Sequence, residues 1–545
     1  MPRVLIADKL EPAGVDVLAR AGIVVDNRPG LKGDDLVAAL RECDAVICRS
    51  QPQLTAEVLN QLAGPGQKLR AIARAGVGVD NIDVPAATRL GVVVMNTPGG
   101  NTVSAAEHTV ALMMALARQI PAADAKMRAG GWDRAKFVGT QLTGKTIGIL
   151  GLGRIGLAVA KRATGLGMTV LGFDPFVTVA KAAELGIDAV ADLASLLPRV
   201  DFLTLHVPLT PETRHLIGAA ELSRMKPTAR VLNVSRGGII DEAALAAALS
   251  AGTIGGAAVD VFEAEPPPAD HPLRTAPNCV VTPHLGASTV EAQETVALEA
   301  AELIVDFLAR GVVANAVNMA AVDRAELEAL RQYVDLARRL GLLQAQMAQG
   351  PVRRVQLSYK GDLAGAKTKL LTAAFTAGLL EYRLSGGVNL VNALVIARDR
   401  GIEVGESLSP KKGDFAAVLH TEVETDAGRH VAAGTLFGDQ YQRLVQLGPY
   451  RLESYLDGTL FVFHHTDAPG LIGFVGTLFG THGVNIGAMA VGRTGATPGG
   501  PAIGVLNLDA VPPDEAVAAV KAHPQIDRVT VVKLPAAGEV PGWLG

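Results

Sequence analysis

A glycine-rich segment at positions 151–156, with the sequence GLGRIG, restricts the possible folds of this chain more than any other feature. It follows an apolar run at 146–150 and precedes a segment with helical periodicity. In such a strand–turn–helix unit Gly151 permits the tight turn, Gly153 lets a pyrophosphate approach the backbone, and Gly156 lets the helix pack on the strand. Because N–H groups at a helix start favour anions, we predict a nucleotide-binding parallel sheet.

An acidic residue strengthens this prediction. Asp174 stands at the end of the next apolar run, at 169–173. A carboxylate there can accept hydrogen bonds from both hydroxyls of an adenine ribose, and it disfavours a 2′-phosphate. We therefore expect NAD rather than NADP as the cofactor. For the glycines taken alone, a turn without any ligand is the alternative.

The alternation of short apolar runs with helical patterns predicts an α/β fold. Four such runs lie between residues 4 and 95, and a second series, with the pattern of a doubly wound sheet, starts at Thr146. Residues 324–346 are predicted to be helical. Residues 460–534 have the order strand, helix, strand, strand, helix, strand, which is typical of a ferredoxin-like unit. Two parallel sheets are thus expected to precede a C-terminal α+β part.

Composition and charge exclude several classes of protein. The 545 residues include 50 Lys and Arg against 54 Asp and Glu, and a net charge of -4 gives no electrostatic basis for binding nucleic acid or an anionic membrane. Cys43, Cys48 and Cys279 lack the spacing of metal ligands or of a disulfide framework, which favours a reducing compartment. A strand pattern begins within the first residues, and no apolar run reaches the ~18 residues of a spanning helix. We expect a cytoplasmic protein without a bound metal ion.

Three side chains at the ends of predicted strands suit chemistry on a 2-hydroxy acid. Arg236 follows a buried strand, and a guanidinium can hold a carboxylate and polarise the adjacent carbonyl. His284 follows another strand, and an imidazole can take a hydroxyl proton as hydride leaves the substrate. Glu265 is our candidate for the carboxylate that orients this ring. Taken singly, these residues also fit a surface ion pair, a solvated loop acid and a capped or core imidazole.

The ordered set of GLGRIG (151–156), Asp174, SRGG (235–238), DVFEAEPP (260–267) and PHLGAST (283–289) resembles the D-isomer-specific 2-hydroxyacid dehydrogenase family. The match covers about the first 315 residues, and motifs in this order are highly specific. The resemblance implies a Rossmann-type, doubly wound cofactor domain inserted in a flavodoxin-like substrate domain. Closure of the two lobes about a hinge would exclude water from hydride transfer.

The resemblance also implies roles for individual residues. Arg236 is expected to bind the substrate carboxylate, and Glu265 with His284 is expected to form a paired acid and base. Asp260 is expected near the nicotinamide carboxamide, and Asp174 at the adenine ribose. Further cofactor contacts are expected from Gly151, Gly153, Arg154, Ile155, Gly156, Pro208, Thr213, Ser235, His284, Gly286 and Ala287.

A second group of residues resembles the D-3-phosphoglycerate dehydrogenase branch of this family. Arg49 and Arg74 each end a predicted strand, and arginines beside backbone N–H groups can hold the 3-phosphate of D-3-phosphoglycerate. Arg134 is expected to act from the neighbouring subunit, with a solvated loop charge as the alternative. Val77 departs from the pattern, because relatives often carry Thr there. The expected substrate contacts are Arg49, Ser50, Arg74, Gly76, Asn101, Arg134 and Arg236.

The C-terminal part resembles the long form of that branch. Segments 467–472 and 482–486 resemble the start of an ACT domain, a small-molecule-sensing module that pairs across subunits. The resemblance implies L-serine as an effector at His465, Asp467 and Asn485, with His465 standing where some relatives carry Tyr. The expected domains are a discontinuous substrate-binding domain (1–97 and 285–317), an NAD-binding domain (98–284), an intervening substrate-binding-like allosteric domain (318–452) and an ACT domain (457–535).

Several alternatives stay open at this point. Paired ACT domains and a dehydrogenase dimer predict a homotetramer, whereas domains that only tether subunits are the alternative for the tail. Within the same class, a glyoxylate or hydroxypyruvate reductase is the second candidate. From another class, an NAD-sensing corepressor-like protein could use the same scaffold. The presence of Arg236, Glu265 and His284 together favours an enzyme, and Arg49 with Arg74 favours a phosphorylated acid.

Overall fold

A computed structural model of the protein describes residues 1–320, 324–384, 387–438, 441–495 and 499–540. The chain divides into two compact units, Met1–Asn96 with Ala300–Gly545, and Thr97–Glu299. Within the described ranges no helix is both long and apolar enough to cross a membrane. In those same ranges no group of three or more His, Cys, Asp and Glu side chains is arranged to hold a metal ion.

The N-terminal part of the first unit is a five-stranded parallel sheet. Its strands are β1 (Arg3–Ile6), β2 (Val24–Asn27), β3 (Ala45–Cys48), β4 (Ala71–Arg74) and β5 (Val93–Asn96), and its helices are α1 (Pro12–Arg20), α2 (Gly33–Arg41), α3 (Ala56–Asn60) and α4 (Val84–Arg89). The strand order β2-β1-β3-β4-β5 is that of flavodoxin-like folds. The central strand β3 is buried along its whole length, because strands of a parallel sheet are covered on both faces.

The second unit is built on a seven-stranded parallel sheet. Its strands are β6 (Thr146–Leu150), β7 (Thr169–Phe173), β8 (Asp188–Ala189), β9 (Phe202–Leu205), β10 (Arg230–Asn233), β11 (Gly256–Val259) and β12 (Cys279–Val281). Its helices are α5 (Thr102–Ala117), α6 (Ile120–Arg128), α7 (Arg154–Gly165), α8 (Val179–Glu184), α9 (Leu193–Leu196), α10 (Ala219–Arg224) and α11 (Glu242–Ala251), with 3-10 turns at Arg134–Lys136, Leu197–Arg199 and Pro272–Arg274. The strand order is β12-β11-β10-β9-β6-β7-β8. The chain order reverses between β6 and β9, and ligands bind at the carboxyl ends of strands at such a point.

The C-terminal part of the first unit contains two further sheets. The helix α12 (Val290–Arg310) leads into it from the second unit. A six-stranded, mostly antiparallel sheet comprises β13 (Val352–Gly361), β14 (Glu403–Ser409), β15 (Ala417–Thr425), β16 (Gly428–Phe437), β17 (Tyr441–Leu447) and β18 (Tyr450–Tyr455), with α13 (Arg324–Met347), α14 (Thr368–Glu381), α15 (Ala393–Asp399) and a 3-10 turn at Asp362–Gly365. A four-stranded antiparallel sheet comprises β19 (Thr459–Thr466), β20 (Ile486–Arg493), β21 (Pro501–Leu508) and β22 (Ile526–Lys533), with α16 (Leu471–Thr481) and α17 (Asp514–Lys521).

The predicted fold class is confirmed, with differences at particular elements. The predicted strands do not include β2, whose short apolar run at 23–25 is followed by Asp26 and Asn27 and whose side chains are partly exposed. The expected end of the intervening domain at 452 falls inside β18. The second unit runs from Thr97 to Glu299, and within it the amides of Leu285 and Gly286 bond to Asp260. The division into four domains stays a prediction.

A buried arginine holds the end of the chain against α13. Arg339 is fully buried, and its Nε donates to Asp335 Oδ2 at 2.7 Å. Carbonyl oxygens satisfy the rest of the guanidinium at 2.7–3.1 Å; they belong to Leu456, Pro535, Ala536 and Glu539. One side chain therefore ties α13 to the segments before β19 and after β22.

Substitution of Arg339 tests this contact. Arg339→Met should lower the free energy of unfolding by about 3–5 kcal/mol, because it leaves the buried Asp335 carboxylate without its counter-ion. Urea unfolding followed by circular dichroism measures the effect. Arg128→Met is the matched control, because Arg128 pairs with Asp124 on an exposed helix face and should leave the unfolding midpoint nearly unchanged. Equal midpoints for the two variants would contradict this role of Arg339.

Candidate active site

The glycine-rich turn between β6 and α7 has the geometry that a dinucleotide needs. Gly151 has a φ of +89°, and a Cβ there would lie 2.4 Å from the His206 carbonyl oxygen. A Cβ on Gly156 would lie 2.0 Å from the Gly151 carbonyl oxygen, so a glycine is needed for α7 to pack this closely. A Cβ on Gly153 would meet no described atom within 4 Å, so the backbone at Gly153 faces open space.

The start of α7 adds an electrostatic reason for anion binding. Gly153 is the N-cap of this 12-residue helix, and no side chain of the described residues caps it. The first N–H groups of a helix lack intrahelical acceptors, and the helix dipole adds partial positive charge there. Arg154, exposed at the first helical position, contributes a full positive charge. These groups fit the pyrophosphate of NAD.

Asp174 lies beside the same turn, at the end of β7. Its Oδ2 accepts a hydrogen bond from the Leu152 amide at 2.8 Å, and its Oδ1 accepts one from the Phe176 amide at 2.8 Å. A carboxylate has roughly four acceptor positions, so capacity remains for ribose hydroxyls. The two amides therefore fix the orientation of Asp174 and leave acceptor positions for the ribose hydroxyls that it is expected to bind.

Three other expected cofactor contacts stabilise the loops after β9 and β10. Thr213 Oγ1 donates to the Pro208 carbonyl at 2.6 Å and accepts from the Thr210 amide at 2.7 Å. Ser235 Oγ donates to the Val207 carbonyl at 2.7 Å. Because β10, β9 and β6 are neighbours in the sheet, these loops lie at the same edge as the glycine-rich turn.

Glu265 and His284 are in direct contact. His284 Nδ1 lies 2.7 Å from Glu265 Oε2, and Glu265 Oε1 accepts a hydrogen bond from the Phe262 amide at 3.0 Å. Burial acts to raise the pKa of Glu265, but the hydrogen bonds from His284 and Phe262 outweigh burial and hold that pKa below its ordinary value. The carboxylate therefore stays ionised at neutral pH, and His284 Nδ1 carries the proton between them. His284 Nε2 is left to exchange a proton with a substrate.

The acid/base pair is open to a ligand. The His284 side chain is 48% exposed and that of Glu265 is 38% exposed. A pocket of about 430 Å³ lies beside them. It is lined by Phe262, Glu265, Pro266, Pro267, Arg274, Val281, Thr282, Pro283 and His284.

Arg236 lies on the loop after β10, next to the loop that carries Glu265. A Cβ on Gly237 would lie 1.9 Å from the Phe262 carbonyl oxygen, so this glycine lets the two loops touch. Asn233 Nδ2 donates to the Arg236 carbonyl at 2.8 Å. The three catalytic candidates therefore follow three neighbouring strands, β10, β11 and β12.

Asp260 is fully buried and holds the loop that carries His284. Its Oδ1 accepts hydrogen bonds from Thr282 Oγ1 at 2.5 Å and from the Leu285 amide at 2.8 Å. Its Oδ2 accepts one from the Gly286 amide at 2.9 Å. Burial acts to raise the pKa of Asp260, but the hydrogen bonds that it accepts outweigh burial and lower that pKa. Its contact with the nicotinamide carboxamide stays a prediction.

His108, on α5, belongs to the same cluster, and no sequence motif marks it. Its Nε2 lies 3.2 Å from Asp260 Oδ1 and 3.3 Å from Thr282 Oγ1. A lone histidine in an apolar helical stretch gives no functional signal. The signal that could have indicated His108 is its spacing from Ser104, one turn earlier on the same helix face. In the structure Ser104 Oγ donates to the Gly286 carbonyl at 2.9 Å.

Arg49 and Arg74 lie together at the carboxyl edge of the first sheet. The adjacent strands β3 and β4 are parallel, Cys48 pairs with Arg74, and Arg49 follows Cys48 directly. Gly76 has a φ of +149°, and a Cβ there would lie 1.6 Å from Arg74 Nη1, so glycine lets the guanidinium fold over this turn. Ser50 is exposed beside Arg49. Two arginines at one edge suit a phosphate group.

The remaining substrate candidates, Asn101 and Arg134, lie in the second unit. Asn101 is the N-cap of α5, and its buried Oδ1 has no hydrogen-bond partner in the described part of the chain. Arg134 is exposed and begins a 3-10 turn. Both assignments stay predictions.

The expected effector residues each have neighbours in or beside the four-stranded sheet. Asp467 accepts hydrogen bonds from Arg493 Nε at 3.0 Å and Nη2 at 3.2 Å. Asn485 Nδ2 donates to Asp509 Oδ2 at 2.6 Å. His465 is buried. An ammonium group that binds Asp467 would therefore share the carboxylate with the guanidinium of Arg493 or displace it.

Three family models match the chain. The D-isomer specific 2-hydroxyacid dehydrogenase, NAD binding domain, matches residues 110–286. The D-3-phosphoglycerate dehydrogenase intervening domain matches 329–448, and the ACT domain matches 458–525. The first match contains the glycine-rich turn and the Glu265–His284 pair. The fold and the site thus define an NAD-dependent dehydrogenase, with an ACT domain in its tail.

Similarity to known proteins extends over nearly the whole chain. The sequence is 42% identical to the D-3-phosphoglycerate dehydrogenase of Archaeoglobus fulgidus, over 94% of this chain and 96% of the relative. It is 41% identical to that of Methanocaldococcus jannaschii, over 98% and 100%. A solved glyoxylate reductase from Paecilomyes thermophila, 28% identical with a TM-score of 0.53, covers 58% of this chain and 98% of its own. The chain belongs to the D-3-phosphoglycerate dehydrogenase family.

Gly153→Ala tests whether the open space at the turn belongs to the cofactor. The unfolding temperature of the free protein should not change, because the added methyl group lies in open space. The affinity for NADH should fall at least about tenfold, because the methyl group occupies the approach of the pyrophosphate. Thermal unfolding and NADH fluorescence titration measure the two effects. Gly165→Ala, at the far end of α7, is the control and should leave the affinity unchanged; unchanged affinity in Gly153→Ala would contradict the assigned site.

Proposed function

We propose that the chain oxidises D-3-phosphoglycerate to 3-phosphohydroxypyruvate with reduction of NAD⁺, the first step of L-serine biosynthesis. The hydrogen bond between Glu265 and His284 carries the chemical part of the proposal, because it orients a ring nitrogen as a proton acceptor at the sheet edge of the glycine-rich turn. The names of the relatives support the choice of substrate. When bound, NAD⁺ supplies the acceptor for the hydride that leaves C2 of the substrate.

The side chains of the second unit divide the chemical work. His284 Nε2 takes the proton of the 2-hydroxyl group, while Glu265 keeps Nδ1 protonated and stabilises the imidazolium that forms. Arg236 binds the substrate carboxylate and polarises the oxygen on C2. In the reverse direction the imidazolium returns its proton to the keto oxygen.

The side chains of the first unit supply selectivity for a phosphorylated acid. Arg49 and Arg74 bind the 3-phosphate, with the Ser50 hydroxyl and the backbone at Gly76 as further partners. A phosphate group suits this edge because guanidinium groups bind its oxygens in pairs. Arg134 contributes from a neighbouring subunit.

Regulation and assembly form the finer part of the proposal. L-serine acts as the effector, with Asp467 binding its ammonium group, Asn485 its carboxylate, and His465 lining the site. The match to an ACT domain supports an amino-acid effector. Pairing of these domains, together with a dimer of the dehydrogenase part, gives a homotetramer. Three free cysteines fit a cytoplasmic protein.

Two other functions are less well supported. The substrates of a glyoxylate or hydroxypyruvate reductase carry no phosphate group that could bind at Arg49 and Arg74. The match to the solved glyoxylate reductase covers 58% of this chain, whereas the matches to the two D-3-phosphoglycerate dehydrogenases cover 94% and 98%. An NAD-sensing corepressor-like protein has no need of the oriented Glu265–His284 pair.

The substrate assignment is tested by following NADH absorbance. Purified protein with NAD⁺ and D-3-phosphoglycerate at alkaline pH, with a carbonyl trap, should produce NADH, whereas D-lactate and D-glycerate should not. The trap removes the keto product, and alkaline pH favours release of the proton. Turnover with only an unphosphorylated acid would overturn the assignment. A second series with L-serine should show inhibition, and unchanged rates would remove serine as the effector.

The acid/base assignment is tested at His284. His284→Ala should lower kcat on the order of 10²–10⁴-fold, because proton transfer loses its acceptor, with NADH affinity nearly unchanged. His215→Ala is the matched control, because His215 also pairs with a carboxylate, at 2.6 Å from Glu263, and has no assigned role. Full turnover in His284→Ala, or an equal loss in both variants, would contradict the assignment.

The phosphate site is tested at Arg49. Arg49→Ala should raise the KM for D-3-phosphoglycerate about 10–100-fold, because it removes a charge-assisted hydrogen bond, with NADH affinity unchanged. Steady-state rates with 3-phosphohydroxypyruvate and with hydroxypyruvate separate the phosphate from the rest of the substrate. Arg28→Ala, which removes an exposed pair with Asp26 in the same unit, is the control. Equal losses with both keto acids would contradict a phosphate contact.

A further inference from the structure

The loop that carries His284 adopts an unusual backbone conformation. His284 has a φ of +54°, in the left-handed region that residues with a side chain seldom adopt. Such a conformation persists when surrounding contacts over-determine it. Here the His284 amide donates to the Asp260 carbonyl at 2.8 Å. Residues on both sides, Thr282, Leu285 and Gly286, donate to the Asp260 carboxylate. The direction of the His284 ring therefore depends on one buried side chain.

The Asp260 carboxylate itself requires donors, because a buried ionised group is stable when hydrogen bonds satisfy its oxygens. Three donors come from the loop that it holds. The fourth, His108 Nε2, comes from α5 and lies 3.2 Å from Asp260 Oδ1. His108 is therefore the donor that connects this carboxylate to a different element of the unit.

The tautomer of His108 follows from its neighbours. Thr282 Oγ1 gives its proton to Asp260 Oδ1 at 2.5 Å, so it faces the ring as an acceptor, 3.3 Å from His108 Nε2. Asp260 Oδ1 is also an acceptor. Because both atoms that face Nε2 accept hydrogen bonds, Nε2 carries a proton.

We propose that His108 is a positioning residue for proton transfer, whose Nε2–H holds the Asp260 carboxylate and, through it, keeps His284 against Glu265. This inference rests on the proposed function. Burial acts to raise the pKa of Asp260, and the hydrogen bond from His108 is among those that lower that pKa. Ser104, one turn earlier on α5, donates to the Gly286 carbonyl, so the same helix face holds this loop at a second point.

Substitution of His108 by the two amide residues, glutamine and asparagine, tests whether the hydrogen-bond donor must stand at the position of Nε2. A glutamine side chain places its amide nitrogen near the position of histidine Nε2, and asparagine places it near Nδ1. His108→Asn and His108→Leu should lower kcat on the order of 10–100-fold, because a small displacement of a catalytic group is costly. The KM for D-3-phosphoglycerate and the affinity for NADH should change little. His108→Gln should recover most of kcat.

A control separates positioning from stability. Thr109 is buried beside His108 on α5, and its Oγ1 donates to the Ala105 carbonyl at 2.8 Å, within the helix. Thr109→Ala should therefore lower the unfolding temperature without changing kcat. Unfolding temperatures are measured for every variant.

A second readout does not depend on turnover. Hydrogen exchange, measured by mass spectrometry on the peptide that contains Leu285 and Gly286, should be faster in His108→Asn and as in wild type in His108→Gln, because Asp260 protects these amides. Turnover of the wild type tests the proposed function by itself. A failure of the proposed function is therefore distinguishable from a failure of the inference about His108. Wild-type kcat in His108→Asn and His108→Leu would overturn the inference, as would equal losses in His108→Asn and His108→Gln.

Discussion

The buried carboxylate of Asp260 accepts hydrogen bonds from four groups, and three of them belong to the loop that carries His284. This interaction holds the loop of the His284 ring, because a left-handed backbone at His284 is stable only when its neighbours are held. Glu265 can then act on a ring that is already oriented, at 2.7 Å. The proposed chemistry of the site thus depends on a residue that is itself fully buried.

A second constraint is the close approach of backbone segments at the carboxyl edge of the seven-stranded sheet. Gly151, Gly156 and Gly237 lie where a Cβ would come within 1.9–2.4 Å of a carbonyl oxygen. These contacts leave the turn at Gly153 open toward the position expected for a pyrophosphate. The residues proposed for cofactor binding and for catalysis therefore share one edge, because parallel strands direct all their carboxyl ends to the same side.

The fold and much of the site could be predicted from the sequence. Short apolar runs predicted the strands, and glycine, arginine or histidine after such a run predicted a functional loop. The order of the motifs predicted which loops contain the cofactor and catalytic residues. The pairing of Glu265 with His284 was expected on this basis and is present in the structure. His108 could not be predicted, because its partners Asp260 and Thr282 are distant in sequence and Ser104, one turn earlier on α5, forms no recognised motif with it. The edge strand β2 was missed because its short apolar run at 23–25 gives way to Asp26 and Asn27 and its side chains are partly exposed.

The sequence by itself determined the elements that depend on local chemistry: the glycine-rich turn, the parallel strands, and the identity of the residues that can bind anions or exchange protons. Tertiary structure alone decided which donors reach Asp260, how Arg493 engages Asp467, and how Arg339 holds the end of the chain. The physical reason is that local propensity acts over a few residues. Hydrogen bonds of buried charges, in contrast, join segments that come together only when the sheets have packed.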